Sequence, residues 1–237
     1  KEPGPKGRQP LKQRNLTLES VFYAAWVSIR YNDPNVVAWR EAWMKDNMRG
    51  GRKHAATHDI TYDLALAWER AAHEDTRVVT LCLDKAKCFD RINRGIVEKL
   101  LIEMGMHEGI VRARMRLHGS STRYFRIANK YSNGHSPGNG VPQGCSFSID
   151  DINALMTVCI GAMEKINPKA GASTYIDDTS ITTTGDAARG QAQELLNEAV
   201  KFDKVTGQLL NADKSAVLDS KNPSGQKLEQ SKITSNT

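Results

Sequence analysis

Three aspartates stand where they could hold divalent cations. Asp84 ends the apolar run Val78-Val79-Thr80-Leu81-Cys82-Leu83, and Asp177-Asp178 separate two β-prone runs, Ala172 to Ile176 and Thr179 to Thr184. Phosphoryl transfer with two metals needs carboxylates that hold the ions roughly 4 Å apart, one ion activating the attacking 3′-hydroxyl and the other neutralising the leaving pyrophosphate. Strand ends about ninety residues apart in sequence can meet in space. An Asp-Asp pair alone is a weak signal, because turns favour Asp for its local backbone hydrogen bonds.

The elements around these acids are the right kind to deliver them. The β-branched run ending on Asp84 predicts a buried strand with a carboxylate at its C-terminal end. Ala172 to Ile176 and Thr179 to Thr184 predict a hairpin with both acids at its tip. Val21, Phe22, Ala25, Trp26 and Ile29 share one face of a helix over Leu18 to Arg30, and Asp59 to His73 carries a second helical pattern beyond the Gly50-Gly51 break. Asn93 is a helix N-cap and Gly105 the stop of the helix it opens. Thr122 to Ala128 reads as a strand, Asn133 to Gly140 as a loop, Ile149 to Ile166 as a long helix, Ala187 to Val205 as another capped by Gly207, and Ser215 to Leu218 as a last strand. Strands alternating with helices predict an α/β sandwich with one open sheet.

Composition is that of a globular protein, with 39% hydrophobic and 25% charged residues. No apolar run is long enough to span a bilayer and none at the start reads as a signal peptide, so the expectation is an intracellular protein, nuclear or cytoplasmic, not secreted, with no membrane partner. A first residue other than Met and a polar tail without periodicity from Lys221 to Thr237 suggest a fragment of a longer chain. Cys82, Cys88, Cys145 and Cys159 form no C-x-x-C pair, which predicts buried thiols, not a zinc cluster or a disulfide framework. His54 and His58, four apart, could clamp a metal from one helix face, but no further ligands lie near them. Charge is uneven: residues 1 to 130 carry 24 Lys and Arg against 15 Asp and Glu, residues 131 to 237 carry 9 against 12. A basic front suits a polyanion and an acidic back suits bound cations, although a solvated basic surface is the plainer explanation.

The order of motifs is more specific than any one of them, and it resembles the reverse transcriptase family, above all the type encoded by retrotransposons without long terminal repeats (LINE-like). Leu81-Cys82-Leu83-Asp84-Lys85-Ala86-Lys87-Cys88-Phe89-Asp90 is similar to the first palm motif, Gly140-Val141-Pro142-Gln143-Gly144-Cys145-Ser146-Phe147-Ser148 with Asn153 to the second, Tyr175-Ile176-Asp177-Asp178 to the signature hairpin, and Gly207-Gln208-Leu209-Leu210-Asn211-Ala212-Asp213-Lys214-Ser215 to the fourth. Upstream, Arg14-Asn15-Leu16 resembles a fingers segment that usually reads Arg-Pro-Leu or Arg-Pro-Ile, and Gly51-Arg52-Lys53 a further fingers element. The usual Ser-Pro of the second motif is Ser148-Ile149 here. Asp150-Asp151 follow it where apolar residues are commoner; we read them as a decoy of the metal motif, placed at a helix start where the dipole favours acids.

The resemblance implies an α+β right-hand palm with partial fingers, built on an open, mostly antiparallel sheet packed on helices. It implies fingers in residues 1–76, the palm in 77–220, and in 221–237 a linker or the start of a missing thumb. It further implies RNA-directed DNA synthesis with an RNA template, a DNA or RNA primer, dNTPs and Mg2+, two per site, with Mn2+ as a substitute. Residue by residue, Asp84, Asp177 and Asp178 would be metal ligands and Lys214 a catalytic cation beside the pyrophosphate. Phe89 would be the gate against a 2′-hydroxyl, Arg14 the triphosphate clamp, and Gln143, Gly144 and Tyr175 contacts to the incoming nucleotide. Arg52, Lys53 and Gly144 would touch the nucleic acid, a surface turn being the alternative for the first two. Two other readings stay open: an RNA-dependent RNA polymerase, disfavoured by the aromatic at Phe89, and an RNA-binding relic that no longer polymerises.

Overall fold

The protein is represented by a computed structural model that describes residues 17–127, 129–222 and 226–227. Its centre is a five-stranded sheet, ordered β4-β5-β1-β6-β7 and antiparallel throughout, from β1 (Val78–Leu83), β4 (Gly171–Tyr175), β5 (Asp178–Thr184), β6 (Ala216–Asp219) and β7 (Gln226–Lys227). The open antiparallel sheet of the sequence reading is therefore present, and β7 lies inside the tail read as polar and without periodicity.

Period-two alternation gives β1 two different faces. Val79, Leu81 and Leu83 join the core formed with α7 (Ser146–Ile166) and α8 (Ala188–Thr206), whose Phe147, Ile160, Leu195 and Ala199 are buried. Thr80 faces the other way, where its hydroxyl accepts from the Trp68 indole at 3.0 Å and meets Thr182 at 3.0 Å. Trp68 belongs to α3 (Thr57–His73), so the sheet is held between one helix in front and two behind. Burying each large aliphatic side chain of the rear layer contributes about 1.5–3 kcal/mol.

The helix stops follow backbone chemistry. Asn93 accepts from the amides of Gly95 and Ile96 at the start of α5 (Arg94–Glu103), and Gly105 and Gly207 take positive φ just beyond α5 and α8. Two further helices that periodicity did not single out, α2 (Pro34–Trp43) and α6 (Glu108–Ser120), pack around the N-terminal side. The strand expected over Thr122 to Ala128 shrinks to β2 (Arg126–Ile127), paired with β3 (Lys130–Tyr131) in a separate two-stranded hairpin; Ala128 lies outside the described residues.

Two expectations are corrected. In α1 (Val21–Tyr31) the apolar face with Val21, Phe22, Ala25 and Ile29 is solvent-exposed, Phe22 at 90%; Val27 is buried instead, with Tyr23, Trp26 and Tyr31 packed beside it. The aromatic and β-branched residues split between two faces, and on the one carrying Tyr23 and Trp26 the Tyr23 ring meets His118 edge-on while Trp26 packs at a tilt against Phe147. Asp150 and Asp151 do not cap α7; they lie in its second turn, fully buried, and each is held by an arginine. Arg40 meets Asp150 through two hydrogen bonds of 2.8 and 2.9 Å, and Arg114 Nη2 donates to both Asp151 oxygens at 2.6 Å. Desolvated carboxylates are tolerable there because each has a bidentate or doubly bonded guanidinium partner.

Among the described residues no helix is long and apolar enough to cross a membrane.

Candidate active site

The strand registers bring the chemistry together. Cys82 pairs with Ser180 on β5 and with Ala216 on β6, and Leu83 with Thr179; just beyond these ladders Asp84 follows β1, Asp178 opens β5 and Lys214 stands in the turn that leads into β6. Because two steps return to the same sheet face, Asp84 and Asp178 emerge on the face of Cys82 and Ser180. These residues, with Ile60, Leu83, Thr179 and Lys214, line one open cavity of about 360 Å3.

Asp84 is firmly positioned. Its Oδ2 accepts from Asn211 Nδ2 at 2.8 Å, its carbonyl accepts from the Asn211 amide at 2.8 Å, and its amide donates to Ser215 Oγ at 3.0 Å. Ala86 donates to the Leu209 carbonyl at 2.8 Å, and Lys85 forms a buried ion pair with Asp203 of α8. The segment Gly207 to Ser215 therefore grips the end of β1 through its backbone and two side chains. Sequence reasoning singled out Lys214 in this segment and missed Asn211 and Ser215, whose amide and hydroxyl were legible as hydrogen-bonding types but not as partners of Asp84.

The hairpin is tighter than expected. Tyr175 pairs with Asp178, so Ile176 and Asp177 form the two-residue turn and Asp178 is already the first residue of β5. Both acids were expected at the tip; pairing leaves Asp177 there alone. Ile176 has φ 60 while Asp177 keeps negative φ, the pattern of a type II′ turn with a β-branched residue where glycine is normal. Such strain persists only where surrounding contacts over-determine it. Here they do: the Arg49 amide donates to the Thr174 carbonyl at 2.8 Å, the Thr174 amide donates to Asn47, and Gly50 lies against the Ile176 backbone. Asn153 Nδ2 donates to the Gly50 carbonyl at 2.8 Å, tying this brace to α7.

Phe89 and Gln143 belong to a second, adjoining loop system. After Asp84 the chain turns through Lys87 (φ 52) into α4 (Cys88–Arg91), a single helical turn, so Phe89 and Asp90 do not alternate as strand residues would. Phe89 is half-buried on the core, and its carbonyl accepts from the Val141 amide at 2.9 Å. Gly140 (φ 87) approaches Asp90 so closely that a Cβ there would sit 2.8 Å from the Asp90 carbonyl oxygen. Gln143 is half-buried, Gly144 exposed with φ 121, and Tyr175 half-buried on β4. Burial pushes the Cys88 thiol up to about 12, with the Asp177 carboxylate the next largest cause and Lys85 opposing it.

Of the remaining expected residues, Arg52 bonds within its own loop, to the Lys45 carbonyl at 3.1 Å and Asp46 at 2.8 Å, and Lys53 is exposed. Arg14 lies outside the described residues. His54 and His58 gain no third ligand: among the described residues no three His, Cys, Asp or Glu side chains are grouped closely enough to hold a metal by themselves. The donor set of the cavity nevertheless suits Mg2+, a hard cation that binds through one or two carboxylates and takes its other ligands from water and substrate phosphates.

An antiparallel open sheet with two acids and a lysine around one cavity at its edge, and a strained acidic hairpin beside them, is the arrangement of a polymerase palm. Residues 34–229 match the model of the reverse transcriptase (RNA-dependent DNA polymerase) family, and the chain belongs to that family. Among solved structures it is similar to telomerase from Candida tropicalis in complex with a TWJ fragment of telomeric RNA, at 12% identity and TM-score 0.61, covering 86% of this chain and 38% of that one. The apo C. tropicalis telomerase truncated from its C-terminal domain matches at 14% and 0.61, with coverages of 90% and 46%. Candida albicans telomerase matches at 14% and 0.57, with 84% and 35%. The chain thus spans less than half the length of these structures, and the likeness is one of fold. No curated protein matches it in sequence.

Proposed function

We propose that this chain is the fingers and palm of an RNA-directed DNA polymerase of the non-LTR retrotransposon type, adding dNTPs to a primer 3′ end on an RNA template. One observation carries the reading: Asp84 at the end of β1, Asp178 at the start of β5 and Lys214 in the turn before β6 line one open cavity.

In this mechanism the primer 3′-oxygen attacks the α-phosphorus of the dNTP in line, a P–O bond forms, and pyrophosphate leaves. Asp84 and Asp178 would hold Mg2+, with Asp177 as the further ligand; when bound, the ions lower the pKa of the 3′-hydroxyl and neutralise the leaving group. Lys214 sits beside them to balance charge on the pyrophosphate or protonate it. Phe89 excludes a 2′-hydroxyl, Gln143, Gly144 and Tyr175 position the nucleotide, and Arg14 clamps its triphosphate. The segments before β1 serve as fingers, with Arg52 and Lys53 toward the template phosphates.

Primer extension on a defined RNA template with Mg2+, using dNTPs or rNTPs, tests this. Incorporation of dNTPs that disappears in Asp178→Asn is expected; incorporation that survives the substitution sinks the assignment, and equal use of rNTPs favours an RNA polymerase. A second reading, RNA binding without polymerisation, draws support from the basic front of the chain, 24 Lys and Arg against 15 Asp and Glu over residues 1 to 130. It predicts salt-sensitive RNA binding and no extension under any condition.

A further inference from the structure

Residues 109 to 149 contain no Asp or Glu but six basic residues: Arg112, Arg114, Arg116, Arg123, Arg126 and Lys130. Near the middle of this stretch the β2–β3 hairpin projects from the end of α6 and exposes three large rings, Tyr124 at 60%, Phe125 at 47% and Tyr131 at 66%. Exposed aromatic surface on so short a hairpin is unfavourable unless something covers it.

The rings are ordered, not splayed at random. Arg126 lies over the Tyr131 ring, 5.7 Å from its centroid, across the Arg126–Tyr131 strand pair. Phe125 stacks on His135 with 4.9 Å between centroids and 6° between planes, and the Tyr124 ring lies over Gly134, where a Cβ would be 3.0 Å from the ring. Tyr131 thus carries a guanidinium over its ring, Phe125 a second flat ring, and Tyr124 stands beside them just before β2.

Flat rings interleaved with guanidinium groups, in a segment free of acids, suit one kind of partner: unpaired nucleotides, whose bases stack on rings and whose phosphates meet Arg and Lys. A duplex hides its base faces and would leave these rings uncovered. The hairpin runs on in sequence into the loop that carries Gln143, and that loop is itself anchored. Arg94 donates to the carbonyls of Pro137, Gly138 and Gly140 at 2.9, 2.7 and 3.1 Å, and Gly140 and Val141 bond back to Ile92 and Phe89.

We infer that the 123–135 hairpin is a stacking platform for single-stranded RNA, holding the unpaired template ahead of the copied region. Its identity as template rests on the polymerase reading above; the stacking does not.

Fluorescence anisotropy of the full chain with a labelled RNA–DNA duplex bearing an unpaired RNA 5′ overhang, the blunt duplex, and an overhang of DNA tests this. Tyr124→Leu and Tyr131→Leu are expected to weaken binding of the RNA-overhang substrate by about 5- to 150-fold each, leaving the blunt duplex unchanged. Tyr124→Phe and Tyr131→Phe, which keep the rings, are expected to bind like the parent. Overhang binding that is absent in the parent, unchanged in the Leu variants, equally lost in the Phe variants, or affected only for the DNA overhang overturns the inference. Ring-dependent RNA binding without any dNTP extension would keep the platform and remove the polymerase. Extension with ring-independent binding would do the reverse.

Discussion

Gly50 and Ile176 touch through their backbones: a Cβ added at Gly50 would lie 2.3 Å from the Ile176 nitrogen. That contact braces the strained turn bearing Asp177. Gly50→Ala must push the brace away from the hairpin, with a destabilisation of about 1–3 kcal/mol typical of overpacking. We expect primer extension to fall more steeply than RNA binding, measured side by side; equal loss of both would mean general unfolding.

Asn211 holds the Asp84 carboxylate at 2.8 Å, so under the proposed function it would act on dNTP addition through Asp84. Asn211→Ala removes a hydrogen bond to a charged acceptor, worth about 1.5–3 kcal/mol, so kcat for dNTP addition should drop about 10- to 150-fold with little change in KM. An unchanged kcat in steady-state extension would show that the backbone bonds alone position Asp84.

Arg114 and Asp151 are both fully buried, and Arg114 also covers the Phe147 ring at 4.4 Å. Asp151→Leu leaves a buried cation unpaired and should cost about 3–5 kcal/mol in urea denaturation. The double variant Arg114→Met/Asp151→Leu should recover much of that, because no charge is left without its partner.

His118 predicts an acid-sensitive core. Burial depresses its pKa from 6.5 to about 3, assisted by Arg114, Arg123 and Arg94, while its Nε2 sits 3.3 Å from the Tyr23 hydroxyl. A depressed histidine stabilises the fold fully above the unfolded value, and that contribution fades as pH falls from 6.5 toward 3, since only the unfolded chain takes up the proton readily. Melting temperatures followed across this range should fall less steeply in His118→Gln than in the parent.

Local pattern determined a good deal. The run Val78 to Leu83 ending on Asp84, the hairpin flanks around Asp177-Asp178, and the caps at Asn93, Gly105 and Gly207 depend on propensities and backbone sterics that act within a few residues, and each is found. The same locality explains the misses. Whether the Val21–Phe22–Ile29 face or the Tyr23–Trp26–Val27 face of α1 is buried depends on Phe147 and His118, more than ninety residues away. Asp150 and Asp151 look like helix-start acids until Arg40 and Arg114 arrive from other helices. That Asp84 shares a cavity with Asp178 and Lys214, gripped by Asn211 and Ser215, depends on how β1 pairs with β5 and β6, and register is decided by which faces bury together in the assembled sheet. Residue types along the chain therefore determined which chemistry was available, and long-range pairing decided which side chains share a cavity, because only packing fixes distances between residues that sequence keeps far apart.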